Sequence, residues 1–165
     1  MNRQVIICRH AETYDPFPFQ PDFERELTTE GVRQASRTGQ WLRDHIQKVD
    51  MILASPAARA SVTAKALATK LYFDEDRITY VPELYNSNES KLQDCLSNLP
   101  DTARVVLMVA HNPGITRLIR TLTNTPQLAY LEPAQVVSIQ LHLPVWEDIF
   151  VASGAIQKHN FEKQY

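Results

Sequence analysis

The sequence contains few of the residues that mark disulfide-stabilised or dinucleotide-binding proteins. Of its 165 residues only two are cysteine and four are glycine. Cys8 and Cys95 lie far apart and form no Cys-x-x-Cys pair, so we expect reduced thiols rather than a disulfide or a redox pair. No Gly-x-Gly-x-x-Gly segment follows the first predicted strand, which argues against a Rossmann-type nucleotide site.

Long apolar runs and an excess of one charge are also missing. The longest purely apolar run covers residues 105–110, far short of the ~20 residues that a membrane helix needs. The formal net charge is −2 with both signs mixed along the chain, so no surface for nucleic acid or anionic lipid is predicted. The apolar segment before Arg9 is too short for a secretory signal. We therefore expect a cytoplasmic protein without nucleic-acid or membrane partners.

The pattern of apolar residues is typical of an α/β protein. Short β-rich runs alternate with segments of helical period, and the length suits one domain over residues 1–165. Strands are predicted over residues 4–8, 51–54, 78–81, 104–110, 135–143 and 154–161, and helices over 28–46, 55–71, 90–99 and 115–122. Thr28 is expected to cap the first helix, and Pro56 to lie at an early position of the second. The predicted fold is a three-layer α/β/α sandwich whose central sheet is mostly parallel, with about five or six strands.

The connection over residues 11–27 is unusually long for such a fold. It alternates proline and phenylalanine, with Pro16, Phe17, Pro18, Phe19, Pro21 and Phe23. Prolines restrict their own backbone and that of the preceding residue, so we expect an extended, partly stiffened segment rather than a helix. Two interpretations stay open: a functional loop, or a surface loop whose phenylalanines pack on the core.

Polar and cationic residues follow three of the predicted strands. Arg9 and His10 end the first strand, Arg59 lies four residues after Ser55 at the end of the second, and His111 follows the fourth. Because the carboxyl ends of parallel strands meet at one edge of a sheet, where ligands of α/β proteins bind, we predict one pocket that holds two histidines and two arginines.

Such a pocket suits a phosphoryl group. Guanidinium groups pair bidentately with phosphate oxygens, and a neutral imidazole held by a backbone carbonyl presents its other nitrogen as a nucleophile. The three remaining histidines lie outside these motifs, and we interpret them as ordinary hydrogen-bonded residues: His45, His142 and His159. A zinc site would need a His-Glu-x-x-His helix or paired cysteines, and neither occurs. We therefore predict phosphate chemistry without a metal or other cofactor.

Four segments together resemble the histidine phosphatase superfamily, whose fold is phosphoglycerate mutase-like. They are Arg9-His10-Ala11-Glu12, Leu27-Thr28-x-x-Gly31-x-x-Gln34-Ala35, Ser55-Pro56-x-x-Arg59-Ala60-x-x-Thr63-Ala64 and His111-Asn112-Pro113-Gly114. The resemblance is greatest to SixA-type phosphohistidine phosphatases. It implies that His10 is the nucleophile, that Arg9 and Arg59 clamp the phosphate, and that His111 supports the charge of the transferring group.

The resemblance also concerns residues that match the family less well. Arg25 is similar to a further phosphate-contacting arginine of the SixA branch, although this chain has Glu26 where the branch usually has proline. Asn112, beside the second histidine, is a further candidate for phosphate binding. Glu83 lies near the place where mutase-like members carry an acid, but the surrounding pattern is missing, so we interpret it as structural rather than catalytic.

The missing acid favours one class of substrate. An alkoxide leaving group needs a proton in the transition state, whereas imidazole titrates near pH ~6.5 and solvent can protonate it. We therefore expect dephosphorylation of phosphohistidine on a signalling protein. Two alternatives remain: a phosphomonoesterase for a sugar phosphate or nucleotide, and a non-catalytic phosphate-binding module.

Overall fold

A computed structural model describes residues 2–162, and a six-stranded sheet forms the centre of this part of the chain. The strands are β1 (Asn2–Arg9), β2 (Met51–Ala54), β3 (Thr79–Tyr80), β4 (Val105–Ala110), β5 (Val136–His142) and β6 (Gly154–His159). The helices are α1 (Thr29–His45), α2 (Ala58–Lys70), α3 (Glu89–Ser97) and α4 (Gly114–Thr123). Short 3-10 turns occur at Asp22–Glu24, Glu75–Arg77, Pro82–Leu84 and Trp146–Val151.

The sheet is mixed, with order β3-β2-β4-β1-β5-β6. β3, β2, β4 and β1 pair in parallel, whereas β5 is antiparallel to β1 and β6 is antiparallel to β5. β4 therefore lies between β2 and β1, as its apolar sequence predicts. The carboxyl ends of β1, β2 and β4 lie at the same edge, which is the edge that carries the predicted pocket.

Helices cover both faces of the sheet, so the predicted three-layer α/β/α sandwich is correct. Along β1, Ile6 packs with the buried residues of α1 and α2, while its neighbour Ile7 packs with those of α3 and α4. This alternation follows from the period of a strand, whose successive side chains point to opposite faces. Trp146 is fully buried on the α3 and α4 side. Among the described helices, none is both long and apolar enough to cross a membrane.

Most predicted elements occur where local sequence signals indicate them, with two corrections. Thr28 caps α1 as predicted, and its hydroxyl accepts a hydrogen bond from Gly31 N. Pro56, however, lies before α2 rather than within its first turn, because the chain turns at Ser55, whose Oγ accepts from Ala57 N at 3.2 Å, before the helix begins. The third strand is limited to Thr79–Tyr80 at the edge of the sheet.

Candidate active site

The strand ends bring both predicted histidines together. His10 follows β1 and His111 follows β4, and His10 N donates to Ala110 O at 3.2 Å, which continues the pairing of these parallel strands. The ring centroids are 5.2 Å apart. His10 and His111 are buried, as is Arg59 in the first turn of α2. We call Arg9, His10, Arg59 and His111 the pocket floor.

His10 has the geometry of an uncharged nucleophile. Its Nδ1 lies 2.8 Å from Ala11 O, a contact in which the ring must donate, so Nε2 carries the free lone pair. Burial lowers the pKa of His10 to about 4, against the opposing effect of the Ala11 hydrogen bond, and the charges of Arg9 and Arg59 lower it further. The imidazole is therefore neutral at physiological pH.

His111 is held by Ser55, the first residue of the predicted second helix. Its Nε2 lies 2.8 Å from Ser55 Oγ. Because Ser55 Oγ already accepts from Ala57 N, its own proton can be donated to Nε2, and Nδ1 then carries the ring proton. Within residues 2–162, this buried Nδ1 has no hydrogen-bond partner. Burial lowers the pKa of His111 to about 3, so the ring is a neutral donor.

Three guanidinium groups lie close to the histidines. Arg59 donates to Asp22 through both terminal nitrogens, to the backbone O at 2.8 Å and to Oδ2 at 2.9 Å. Arg9 donates to Leu131 O at 3.0 Å, and its Nε is buried without a partner among the described residues. Arg25 donates to Thr13 Oγ1 at 2.7 Å. All three arginines lower the pKa of His10, so they surround a neutral imidazole with positive charge.

Two of the sequence motifs fix the backbone beside His10. Thr63 Oγ1 accepts from Ala11 N at 3.0 Å, and Gln34 Oε1 accepts from Glu12 N at 2.9 Å. Gly31 is required by close approach, since a Cβ at this position would lie 2.2 Å from Glu12 O. Helices α1 and α2 thus clamp the segment that supplies the acceptor for His10 Nδ1.

Two predicted residues are engaged elsewhere. Glu83 is exposed on the Pro82–Leu84 turn and lines a separate cavity that also contains Cys95, whose pKa its charge helps to raise. The structure thus gives no support to Glu83 as an acid. Asn112 donates from Nδ2 to Leu131 O at 2.8 Å and accepts at Oδ1 from Thr116 Oγ1 at 2.6 Å. Its amide joins the His111 segment to α4 and to the loop before β5.

The connection over residues 11–27, here called the rim loop, brings an unpredicted carboxylate to the pocket. Asp22 pairs with Arg59 and accepts from Tyr85 Oη at 2.7 Å. The Tyr85 ring packs edge-on against His111, with centroids 5.7 Å apart. The Tyr85 hydrogen bond is the main cause that lowers the pKa of Asp22 to about 2, and Arg59 adds to it. Asp22 is therefore a carboxylate at physiological pH.

The phenylalanines of the rim loop do not pack on the core. Phe17 is 67% exposed and Phe19 is fully exposed, and Phe23 contacts only the edge of Tyr85 among the aromatic rings described, at 5.1 Å between centroids. The interpretation that these side chains tuck inward is wrong, because the loop is anchored instead through its polar residues. Arg25 holds Tyr14 O at 3.2 Å, and Thr13 bridges to Leu27.

Metal ligands are not clustered in this part of the molecule. Across the described residues, no group of three or more His, Cys, Asp or Glu side chains is arranged to hold a metal ion. The charges that lower the pKa of His10 are instead the guanidinium groups of three arginines, and the Asp22 carboxylate that acts on His111 is paired with Arg59. The pocket therefore has the composition of an anion site.

Comparisons with known proteins agree with this geometry. The model described as "Histidine phosphatase superfamily (branch 1)" matches residues 5–84. An uncharacterized protein of Mycobacterium leprae (strain TN) is 29% identical over 120 residues, 71% of this chain and 71% of that protein. SixA from Nakamurella multipartitia, a candidate phosphohistidine phosphatase, is 25% identical with a TM-score of 0.80, covering 98% of this chain and 96% of the other. A mycobacterial glucosyl-3-phosphoglycerate phosphatase shares the fold alone, at 16% identity and a TM-score of 0.66, covering 95% of this chain and 97% of the other.

Fold and site together define an α/β/α protein of the phosphoglycerate mutase-like class. His10 and Arg59 lie within the matched residues 5–84. The likeness to SixA extends over nearly the whole chain and therefore also includes the segment that carries His111. The chain is similar to the histidine phosphatase superfamily over residues 5–84 and to SixA over nearly its whole length. These findings support a phosphatase.

Proposed function

We propose that this protein is a cytoplasmic phosphohistidine phosphatase that acts on a signalling protein through a covalent intermediate on His10. In the first step His10 Nε2 attacks phosphorus, its bond to phosphorus forms, and the bond from phosphorus to the substrate imidazole breaks. In the second step water attacks the phosphorylated His10, which releases inorganic phosphate and regenerates the ring.

The observation that carries this proposal is the hydrogen bond from His10 Nδ1 to Ala11 O at 2.8 Å in a buried site. It leaves Nε2 unprotonated, and the pKa of about 4 keeps the ring neutral over the whole physiological range. A neutral imidazole among guanidinium groups is a nucleophile beside charges that attract its anionic target.

The rest of the pocket floor suits the transferring group. Phosphoryl transfer spreads charge over three equatorial oxygens, so positioned donors supply most of the catalysis. Arg9 and Arg59 offer charged N–H groups, and the buried Nδ1 of His111 offers a neutral one. These residues act by stabilising charge, and the reaction as proposed needs no metal.

Phosphohistidine is favoured because neither Asp22 nor Glu83 offers a protonated carboxyl group beside His10 and His111 at neutral pH. Asp22 is ionised, and Glu83 lies at another cavity. A P–N bond tolerates this better than an alkyl ester, since imidazole is a much weaker base than an alkoxide. The likeness to SixA supports the same substrate class.

A phosphomonoesterase for a sugar phosphate is the second candidate, and one observation favours it. The chain shares its fold with a glucosyl-3-phosphoglycerate phosphatase, although at 16% identity. Comparing kcat/KM for a phosphoramidate and for alkyl phosphates at one pH separates the two. A strong preference for alkyl esters would overturn the phosphohistidine assignment.

Trapping the intermediate tests the covalent mechanism. Turnover quenched in base should leave a phosphate on the chain that is stable to base and labile to acid, as expected for phosphohistidine. His10→Ala should lose both the label and turnover, whereas His142→Gln, at an exposed position on β5, should keep them. Full turnover by His10→Ala would refute the mechanism, and absence of label on the wild-type protein under every condition would favour a non-catalytic phosphate-binding module.

A further inference from the structure

Asp22 is held in a way that leaves part of its carboxylate free. Oδ2 accepts from Arg59 at 2.9 Å and from Tyr85 Oη at 2.7 Å, and Oδ1 accepts from Arg25 at 3.3 Å. A carboxylate has about four acceptor sites. These contacts occupy three of them, and the side chain is 47% exposed, so Asp22 can accept one further hydrogen bond from a ligand.

Asp22 lies on the solvent-exposed side of the pocket. His10, on the floor, is 8% exposed, whereas the Asp22 side chain is 47% exposed and contacts Tyr85, which packs on His111. In phosphoryl transfer the leaving group departs opposite the nucleophile. A group that leaves opposite the buried His10 therefore moves toward solvent, and Asp22 is the exposed carboxylate that pairs with Arg59 of the pocket floor.

The chemistry of an N-phosphorylated imidazole gives this carboxylate a role. If the second ring nitrogen is unprotonated, the leaving group is an imidazolate anion, which is a strong base and a poor leaving group. If that nitrogen carries a proton, the ring leaves as neutral imidazole. A nearby carboxylate stabilises the protonated, cationic form by a charge-assisted hydrogen bond.

We propose that Asp22 accepts the second ring N–H of the substrate's phosphorylated imidazole, and that this contact selects phosphohistidine over alkyl phosphates. The inference rests on the proposed function. Solvent supplies the proton to the second nitrogen before transfer. The electron pair of the breaking P–N bond stays on the leaving nitrogen, the new bond forms at His10 Nε2, and neutral imidazole departs with the proton it received.

The same carboxylate should disfavour alkyl phosphates. They offer no cation at this place, so Asp22 contributes only repulsion toward the phosphate dianion. Loss of its charge should thus lower kcat/KM for phosphohistidine more than kcat/KM for alkyl phosphates. If Asp22 served only to position Arg59, its loss would impair both classes in parallel, because both need the arginine clamp.

The pH dependence should originate in the substrate and not in Asp22. Arg59 from α2, Arg25 from the rim loop and Tyr85 after the Pro82–Leu84 turn all face the carboxylate. They keep Asp22 ionised above about pH 2. Wild-type kcat for phosphohistidine should fall as the ring of the bound substrate loses its proton at rising pH. Without Asp22 that fall should begin at a lower pH, because nothing then stabilises the cation.

The experiment compares Asp22→Asn with wild type and with Asp15→Asn, an exposed acidic residue of the same loop. Substrates are free phosphohistidine and the alkyl phosphate β-glycerophosphate, with kcat and kcat/KM measured from pH 5 to pH 9. Asp22→Asn should lower kcat/KM for phosphohistidine by ~10- to 100-fold, the range expected for a charge-assisted hydrogen bond. The ratio of kcat/KM for phosphohistidine to that for β-glycerophosphate should therefore fall, and Asp15→Asn should keep the wild-type ratio.

An unchanged ratio of the two substrates in Asp22→Asn, or an unshifted pH profile, would overturn the inference. Formation of the labelled His10 intermediate separates this failure from a failure of the proposed function. If the wild-type protein becomes labelled while Asp22→Asn leaves the ratio of the two substrates constant, only the proposed role of Asp22 is refuted. If the wild-type protein never becomes labelled, the proposed function itself is refuted.

Discussion

The pocket floor and the rim loop contribute to the same site but are held in different ways. The floor residues follow or flank parallel strands, and His10 N continues the sheet pairing through Ala110 O. Among the described residues, the rim loop forms one isolated bridge, Thr13 to Leu27, and local backbone turns, and side chains such as Arg25 and Asp22 fix it further. A group held by a buried sheet is positioned before substrate arrives, whereas a group held by exposed side chains can be changed without changing the fold. In our proposals the floor carries the phosphoryl transfer and the rim selects the substrate.

The largest expected effect is the difference between two arginine variants, one at Arg59 of the pocket floor and one at Arg25 of the rim loop. Arg59→Ala should lower kcat/KM by about 10²–10³-fold, the range for loss of one preorganised donor to a transition-state oxyanion. Arg25→Ala should lower it only by about tenfold, because the Arg25 side chain is 25% exposed and solvent screens its charge. Steady-state kinetics on free phosphohistidine would measure both.

A third arginine serves as the control for these two. Arg33 lies on the exposed side of α1 and pairs only with Glu30 among the described salt bridges, so Arg33→Ala should match wild type. Equal losses in Arg59→Ala and Arg25→Ala would mean that the rim contributes to transfer as strongly as the floor, and the distinction between them would fail.

Sequence patterns predicted the floor much better than the rim, for a physical reason. β2 occurs over Met51–Ala54 as predicted, and Thr28 caps α1, because these elements depend on local periodicity and local hydrogen bonds. The meeting of His10 with His111 follows from one general rule, that parallel strands end at one edge of the sheet. Local signals combined with this rule were sufficient for the floor.

The contacts of the rim depend on tertiary structure that no local pattern encodes. Asp22 meets Arg59 and Tyr85 across 37 and 63 positions of sequence, and no periodicity marks it. Ser55 was predicted to end the second strand and to begin the following helix, and no site role was predicted for it, because its contact with His111 spans 56 positions. The roles of such residues become visible only when the side-chain geometry is known.

The second prediction concerns stability, for which floor and rim should respond in different pH windows. The folded pKa values of His10 and His111, about 4 and about 3, lie below the ordinary value of 6.5. The unfolded chain therefore binds more protons than the folded one, and stability should fall as pH drops from about 6.5 toward 4. The pKa of Asp22 is lowered from 3.8 to about 2. Its stabilising contribution is present above pH 3.8 and is lost only as pH falls toward 2.

Urea unfolding between pH 7 and pH 2.5 would resolve these windows. The double variant His10→Gln/His111→Gln should flatten the loss between pH 6.5 and pH 4, which the two pKa shifts set at about 5 kcal/mol. Asp22→Asn should leave that loss intact and change only the region below pH 4. If Asp22→Asn flattened the upper window instead, the buried histidines would not be its cause.

The smallest effect is expected for the exposed part of the rim loop. Phe19 is fully exposed and has φ of 66°, a left-handed conformation that asparagine adopts more readily than phenylalanine. The double variant Phe17→Ser/Phe19→Asn should therefore shift the free energy of unfolding by only about 0.5 kcal/mol, in either direction. Turnover of free phosphohistidine should stay at the wild-type value, because neither side chain packs on the pocket floor. Ile7→Ala, at a fully buried position of the strand that leads to His10, should cost about 2–5 kcal/mol in the same measurement. If the loop variant also lost about 2–5 kcal/mol of unfolding free energy, the rim loop would support the fold as the pocket floor does. Floor and rim would then differ only in where they lie in the structure.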